Sequence, residues 1–88
     1  MMPVEYRLEF NKRYLKDLEK IPKVFQKSIL QALAYLKHNP RPDGCKKMRG
    51  FDDLYRIRCG DYRIVYQIHD NVLLIIVIDV GHRKEIYR

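Results

Sequence analysis

The apolar residues of this chain repeat at two different periods. From Val4–Phe10 every second residue is apolar, which is the pattern of a half-buried strand. Lys12–Lys20 and Lys23–His38 instead repeat their apolar residues every three or four positions, as amphipathic helices do. Pro22 lies between them, where it ends the first helix and suits the first turn of the second. The first half of the chain is therefore predicted to form a strand followed by two helices.

The second half of the chain is predicted to be extended. It begins after Asn39–Gly44, a loop rich in proline and glycine. Leu54–Cys59 and Tyr62–His69 alternate apolar with polar residues, and the Gly-Asp pair between them is typical of a tight hairpin turn. Val72–Val80 is apolar on both faces, which predicts a strand in the middle of the sheet.

This order of elements predicts an α+β fold with the sequence β-α-α-β-β-β. We expect one domain over residues 1–88, with an antiparallel four-stranded sheet and two helices packed on one of its faces. The first strand is expected to pair beside Val72–Val80. The other face of the sheet would then remain open to solvent.

Three arginines lie on that open face in the predicted register. Arg56 and Arg58 share one side of the first hairpin strand, and Arg63 lies on the corresponding side of the second. The planar guanidinium fork matches phosphate and stays charged at physiological pH, so a phosphate site is indicated. A merely solvated charged face would explain the same residues.

The charge balance favours a polyanionic partner. The chain has 18 Lys and Arg residues against 11 Asp and Glu residues, a net charge of +7. Nucleic acid is the simplest partner for such a domain, although an acidic protein fits the same charge. Six of the nine arginines lie from Arg49 onward, whereas six of the nine lysines precede Asn39. The second half of the chain is therefore the expected working surface.

The cysteines and the apolar runs indicate neither a metal site nor a membrane span. Cys45 and Cys59 have no metal-ligand spacing, so no zinc site is predicted. A disulfide between them stays open as an alternative to a small core residue at Cys59. The longest apolar run, Val72–Ile78, is too short to span a bilayer, and the first ten residues do not resemble a signal peptide. We therefore expect a cytoplasmic protein.

Several motifs together resemble the RelE/ParE superfamily of bacterial toxin–antitoxin toxins. They are N-P-R-P, K-K-M-R-G, the hairpin Y-R-I-R-C-G-D-Y-R-I-V-Y and the closing V-G-H-R-K-E-I-Y-R. The resemblance covers nearly the whole chain and is nearer to the RelE branch. It implies a ribosome-dependent mRNA interferase, which cuts messenger RNA in the ribosomal A site. The 2′-hydroxyl attacks the adjacent phosphate, and no metal or other cofactor takes part.

The resemblance also implies site residues. The catalytic pattern of the superfamily carries over to Arg56, Arg58, Arg63, Arg83 and Tyr87. His82 is an alternative titrating residue, unless it is simply exposed beside a glycine. The best-known members carry lysines at the positions of Arg56 and Arg58, and because arginine does not deprotonate, the general base stays open. The residues flanking the site, which would either follow the RNA backbone or only solvate a loop, are Lys46, Lys47 and Arg49.

The partners implied by the resemblance are a cognate RelB-like antitoxin, the ribosome and mRNA, with DNA reached only indirectly through the toxin–antitoxin complex. We expect an acidic, partly disordered antitoxin segment, anchored in grooves around Leu15, Leu18 and Leu33. Two alternatives stay open: a ParE-like inhibitor of DNA gyrase, and a non-catalytic co-repressor that acts only when bound to its antitoxin.

Overall fold

The computed structural model describes residues 5–82, apart from the side chains of residues 13–15. Within this range the chain forms two helices and a five-stranded sheet, and a 3₁₀ turn at Asp70–Val72 joins the last two strands. No helix within residues 5–82 has the length and apolar character needed to cross a bilayer. The elements are β1 (Arg7–Phe10), α1 (Lys12–Glu19), α2 (Lys23–Leu36), β2 (Lys46–Lys47), β3 (Leu54–Cys59), β4 (Tyr62–His69) and β5 (Leu74–His82).

The predicted α+β class and the hairpin strands are confirmed, but the predicted sheet is wrong in two respects. The strand order is β1-β5-β4-β3-β2, so β5 has neighbours on both sides as expected. However, the short β2 adds a fifth strand beside β3, and β1 runs parallel to β5. Apolar alternation indicates which face of a strand is buried but not its direction, and a two-residue strand is too short to show a period.

Both helices pack on one face of the sheet, and the core lies between the helices and that face. Alternate residues of β3, β4 and β5 point toward the helices, and α2 contributes residues spaced three to four apart. Removing these apolar side chains from water is the main stabilising term of the fold. The fully buried side chains are Tyr66, Ile29, Leu33, Leu36, Ile64, Ile75, Val77 and Val80.

A one-residue register shift in β5 changes which face its last residues occupy. Val65 pairs with Asp79, but Tyr66 pairs with Val77, so Ile78 is an extra residue in β5. Val77 and Val80 consequently both point into the core, with 0% and 2% of their surface exposed. Beyond the shift, every side chain of β5 lies on the opposite face from the one that unbroken alternation gives.

Both cysteines are free thiols, so the open disulfide alternative is not realised. Cys59 is half-buried against the core, as its inward position in β3 predicted. Burial raises the pKa of its thiol, which keeps it protonated and unreactive near neutral pH. The Cys45 sulfur lies 3.5 Å from the hydroxyl oxygen of Tyr66, which is within hydrogen-bond distance for sulfur.

Candidate nucleic-acid interface

The β3–β4 hairpin brings its arginines together at one corner of the open face. Arg58 and Arg63 are direct cross-strand partners, next to the two-residue turn. That turn requires a backbone φ of +61° at Gly60, a conformation that glycine adopts without steric cost. Arg56 lies two residues before Arg58, and therefore on the same face of β3.

Strand β2 adds a fourth cation to this corner. Lys46 pairs with Arg56 across the β2–β3 ladder, so both side chains lie on the open face. Between the strands and the preceding loop is a groove of about 360 Å³, which we call the arginine groove. Four positive charges in one concave site favour a phosphate group, and with it an RNA or DNA backbone. The groove is lined by Gly44, Lys46, Arg56, Ile57, Arg58 and Arg63.

Arg63 is buried, which corrects the expectation that it lies on a solvent face. Only 8% of its surface is exposed, whereas Arg56 is half-buried and Arg58 is exposed. Arg63 is on β4, which lies between β3 and β5 in the sheet. Its partner in β5 is Gly81, and because glycine has no side chain, none lies beside that of Arg63 at this position. A guanidinium held in this way has already lost most of its rotamer freedom, so binding a phosphate costs less entropy.

The structure separates the three flanking residues predicted to follow RNA. Lys46 lines the arginine groove. Lys47 pairs with Tyr55, whose ring stacks on Tyr66 on the helix side of the sheet, so Lys47 lies on the other face. Arg49 is exposed in the turn after β2 and does not line the groove.

His82 lies on the helix side of the sheet, away from the arginines. It pairs with Tyr62, and the two rings meet edge to face with 5.7 Å between centroids. Tyr62 in turn contacts Phe25 of α2, with 5.5 Å between their centroids. Arg83 and Tyr87, the other two catalytic candidates, lie outside the described residues.

The structure shows an ion-pair network around Arg41 that the sequence analysis did not predict. The sequence analysis assigned no function to the loop Asn39–Gly44, which contains this arginine. Arg41 donates two hydrogen bonds to the Asp70 carboxylate, at 3.2 and 2.9 Å, and its guanidinium lies 5.0 Å from the centre of the Tyr55 ring. The Tyr6 hydroxyl donates to the same carboxylate at 2.6 Å. The only sign of this network in the sequence is an arginine between two prolines and an aspartate in a later turn. Local patterns do not show that the two pair, because Arg41 and Asp70 are 29 residues apart.

This network holds the loop that leads into the arginine groove. The Tyr66 hydroxyl donates to the main-chain carbonyl of Pro40 at 2.7 Å, and the loop continues to Gly44 and Lys46 in the groove wall. Strand β2 consists of only two residues, so these contacts add to the ladder pairing with Arg56 that positions Lys46. The loop is therefore part of the site's scaffold.

The Arg41 network predicts an acid-sensitive part of the stability. Hydrogen bonds from Arg41, and then from Tyr6, lower the pKa of the Asp70 carboxyl from its ordinary value of 3.8. A carboxylate with a depressed folded-state pKa stabilises the fold above its unfolded pKa, and that contribution is lost as the pH falls through the folded pKa. We expect Asp70→Asn to lower the unfolding temperature at pH 7 and this deficit to shrink below pH 3.8.

Thermal unfolding followed by circular dichroism at several pH values measures this difference. Asp52→Asn is the matched control, because Asp52 is an exposed turn carboxylate outside the network. A deficit for Asp70→Asn that is as large at about pH 2.5 as at pH 7 would show that the network does not act through the charge of this carboxylate.

Comparison with known proteins identifies a family match over most of the chain. The family described as "ParE toxin of type II toxin-antitoxin system, parDE" matches residues 8–87. The mRNA interferase toxin RelE of Escherichia coli K12 is 35% identical over 86 residues, which cover 93% of this chain and 90% of the relative. The putative toxin RelE1 of Methanocaldococcus jannaschii is 31% identical over 88 residues, covering 97% and 98% of the two chains.

Solved structures show the same fold. The archaeal RelE–RelB complex from Pyrococcus horikoshii superposes with a TM-score of 0.81 at 30% identity, covering 90% of this chain and 96% of the toxin chain. The intact E. coli RelBE toxin–antitoxin complex gives a TM-score of 0.76 at 34% identity, covering 88% and 95%.

Proposed function

Because this chain belongs to the RelE/ParE superfamily of type II toxin–antitoxin toxins, we propose that it is a ribosome-dependent endoribonuclease, which cuts mRNA in the ribosomal A site without a metal ion. The observation that carries the proposal is the arginine groove, where three arginines and Lys46 converge on a concave surface. The E. coli relative is named an mRNA interferase, which supports the same chemistry.

The proposed reaction is an internal transesterification. The 2′-oxygen of one ribose bonds to the adjacent phosphorus, and the bond from phosphorus to the 5′-oxygen of the next nucleotide breaks. The products are a 2′,3′-cyclic phosphate and a 5′-hydroxyl, so one proton leaves the 2′-hydroxyl and one reaches the leaving oxygen. Negative charge builds on the non-bridging oxygens, and fixed cations that are already in place stabilise it.

The exposures of the three arginines suggest how they divide this work. Arg63 is buried and fixed, so it suits the phosphate that reacts. Arg58 lies directly opposite and is exposed, so it can close on the same phosphate from the solvent side. Arg56 and Lys46 form the next cationic pair along the strand, where they suit a neighbouring phosphate of the message.

None of the three arginines can accept the proton of the 2′-hydroxyl at physiological pH. We assign proton transfer to Tyr87, which carries over from the superfamily's pattern. A tyrosine with an ordinary pKa of about 10 requires nearby cations to lower that value, and the superfamily's pattern supplies arginines. Arg83 completes the proposed catalytic set in the same way.

Lys46 and Lys47 are adjacent in the chain but lie on opposite faces of the sheet, so comparing them tests the groove. Both changes to alanine remove one positive charge, but only Lys46 lines the arginine groove. We expect Lys46→Ala to weaken the binding of single-stranded RNA and to reduce the slope of log affinity against log salt by about 0.7, the value for one phosphate contact. Lys47→Ala is expected to have a clearly smaller effect on both.

Fluorescence anisotropy of a labelled RNA, measured at several salt concentrations, gives both quantities. Equal losses in the two variants would mean that this protein attracts RNA by its overall charge rather than at the groove.

Expression in a bacterium tests the function as a whole. We expect incorporation of labelled amino acid to stop within minutes of induction, while incorporation of labelled thymidine continues for longer. The family match carries the description of a ParE toxin, and the resemblance of the sequence left a ParE-like inhibitor of DNA gyrase open as an alternative. An early stop of thymidine incorporation with translation intact would favour a gyrase inhibitor and contradict the nuclease.

The proposed partner is a RelB-like antitoxin that neutralises the cationic surface. Several solved relatives are toxin–antitoxin complexes, and a domain of charge +7 attracts an acidic segment. The expected anchor at Leu33 is wrong, because 2% of that residue is exposed and it belongs to the core. Leu18 is half-buried, and the side chain of Leu15 lies outside the described residues. Leu30 of α2 is 50% exposed and lines a surface depression together with Lys23 and Lys27, so it is the better anchor.

Where a small protein is encoded next to this chain, coexpression with it tests the partner. We expect growth to recover and a complex to copurify, and Leu30→Asp to weaken that complex by about tenfold or more, since it places a charge at an apolar contact. Failure of the neighbouring protein to restore growth or to bind would refute the assignment of this partner.

A further inference from the structure

A second groove continues from the arginine groove over the edge of the sheet. It has a volume of about 310 Å³ and lies between the end of α2, the loop after it and β3. Gly44, Ile57 and Arg58 line both grooves, so the two are contiguous. Tyr35 of α2 lies at the far side of the second groove, which we call the Tyr35 groove.

The two grooves meet where β3 has no neighbouring strand on one side. Strand β2 begins at Lys46, opposite Arg56, so the edge of β3 from Ile57 to Cys59 is not covered by β2. The Met48 N–H donates to the Leu54 carbonyl, which shows that the main-chain polar groups of Leu54 point toward β2. By alternation, the N–H of Arg58 points toward this edge too. A phosphate crossing the edge would meet this N–H beside a guanidinium.

The lining of the Tyr35 groove differs from that of the arginine groove. Tyr35 is 56% exposed, so its ring is available to a ligand. Asp43 contributes a carboxylate, which repels phosphate but accepts hydrogen bonds from the amino groups of cytosine, adenine or guanine. Aromatic rings are the usual stacking platforms for the bases of single-stranded RNA. The arginine groove therefore suits a phosphate, and the Tyr35 groove suits a base.

We propose that the Tyr35 groove is a nucleobase subsite, in which a base of single-stranded RNA stacks on Tyr35 while an adjoining phosphate lies in the arginine groove. The proposal rests on the proposed function for its choice of RNA. It adds a contact that selects a nucleotide with an amino group, through Asp43. An acidic protein segment is a poorer occupant, because Asp43 would repel it.

The Tyr35→Trp variant tests the subsite directly. The chain contains no tryptophan, so the emission of this variant would come largely from position 35. Hexacytidylate, added at low salt, is expected to quench the emission in a saturable way. A six-unit abasic ribose-phosphate oligomer carries the same phosphates without bases, and it is expected to bind without quenching. Anisotropy of labelled oligomers reports the binding of each.

Each outcome decides the proposal. Quenching by hexacytidylate and not by the abasic oligomer supports it. Unchanged emission while hexacytidylate binds overturns it, as does the absence of RNA binding at low salt. Equal quenching by both oligomers overturns the base contact and leaves only a phosphate site. Quenching by an acidic peptide of the antitoxin, with none by RNA, would assign the groove to protein instead.

Affinity gives a second readout. Tyr35→Ala is expected to weaken hexacytidylate binding about tenfold, the usual loss for one stacked base. Val24→Ala changes an exposed α2 residue outside both grooves and is expected to leave the affinity unchanged. If the Tyr35→Trp variant cleaves ribosome-bound message but its emission does not respond to RNA, the nuclease is retained and the subsite rejected. If RNA quenches the emission but the variant cleaves no message, the subsite is retained and the nuclease is rejected.

Discussion

Arg63→Ala is expected to lower the rate of message cleavage on the ribosome by about 10²–10³-fold, the loss measured when one preorganised donor to a developing oxyanion is removed. The reason is the position of Arg63 on β4, where 8% of it is exposed and its guanidinium is fixed at the wall of the arginine groove. Arg83→Ala is expected to cost a similar factor, on the superfamily's pattern.

Two further variants separate charge, geometry and folding. Arg63→Lys keeps the positive charge but loses the planar fork, so an intermediate rate is expected. Arg7→Ala removes one charge from an exposed residue of β1, outside the groove, and is expected to cleave like the unchanged protein. Circular dichroism checks that each variant is folded, which matters because Arg63 is buried. A folded Arg63→Ala protein that cleaves at the normal rate would remove Arg63 from the mechanism.

Tyr87→Phe is expected to lower single-turnover cleavage by about 10²-fold, while His82→Gln stays close to the unchanged rate. General acid–base catalysis contributes roughly this factor to a rate. Phenylalanine keeps the ring of Tyr87 but lacks the hydroxyl group that would transfer the proton. His82 has its ring against Tyr62 on the helix side of the sheet, so it does not face the arginine groove. When the cleavage rate is measured across pH, the Tyr87→Phe variant is expected to lose the dependence of that rate on a basic group. The His82→Gln variant is expected to keep it.

The same pair of variants decides the alternative roles. If Tyr87→Phe cleaves normally, Tyr87 acts only by stacking, and positioning with arginine electrostatics carries the reaction. A large loss for His82→Gln, together with a changed pH profile, would instead make this histidine the titrating group.

Much of the fold could be predicted because its strands are strongly patterned. The bounds of β3 and β4 and the turn between them follow from period-two alternation around a Gly-Asp pair. The convergence of Arg56, Arg58 and Arg63 follows from the same register. The direction of β1 and the two-residue β2 could not be predicted, because neither leaves a periodic signal.

The side of the sheet on which His82 lies could not be predicted either. Unbroken alternation along β5, with Ile78 counted as an ordinary residue, places His82 on the arginine face, whereas the register shift at Ile78 places it beside Tyr62. The burial of Arg63 and the Arg41–Asp70 ion pair depend on neighbours that are distant in the chain. Local patterns carry no information on such contacts.

The most direct measurement of the central claim uses purified protein, ribosomes programmed with a defined message, and the same message without ribosomes. We expect cleavage within the A-site codon of ribosome-bound message, with a 2′,3′-cyclic phosphate at the new end, while naked message stays largely intact. Arg63→Ala should abolish most of that cleavage, and Arg7→Ala should not. Rapid cutting of naked RNA at the same rate would contradict ribosome dependence, and intact message beside a loss of gyrase supercoiling would contradict the nuclease itself.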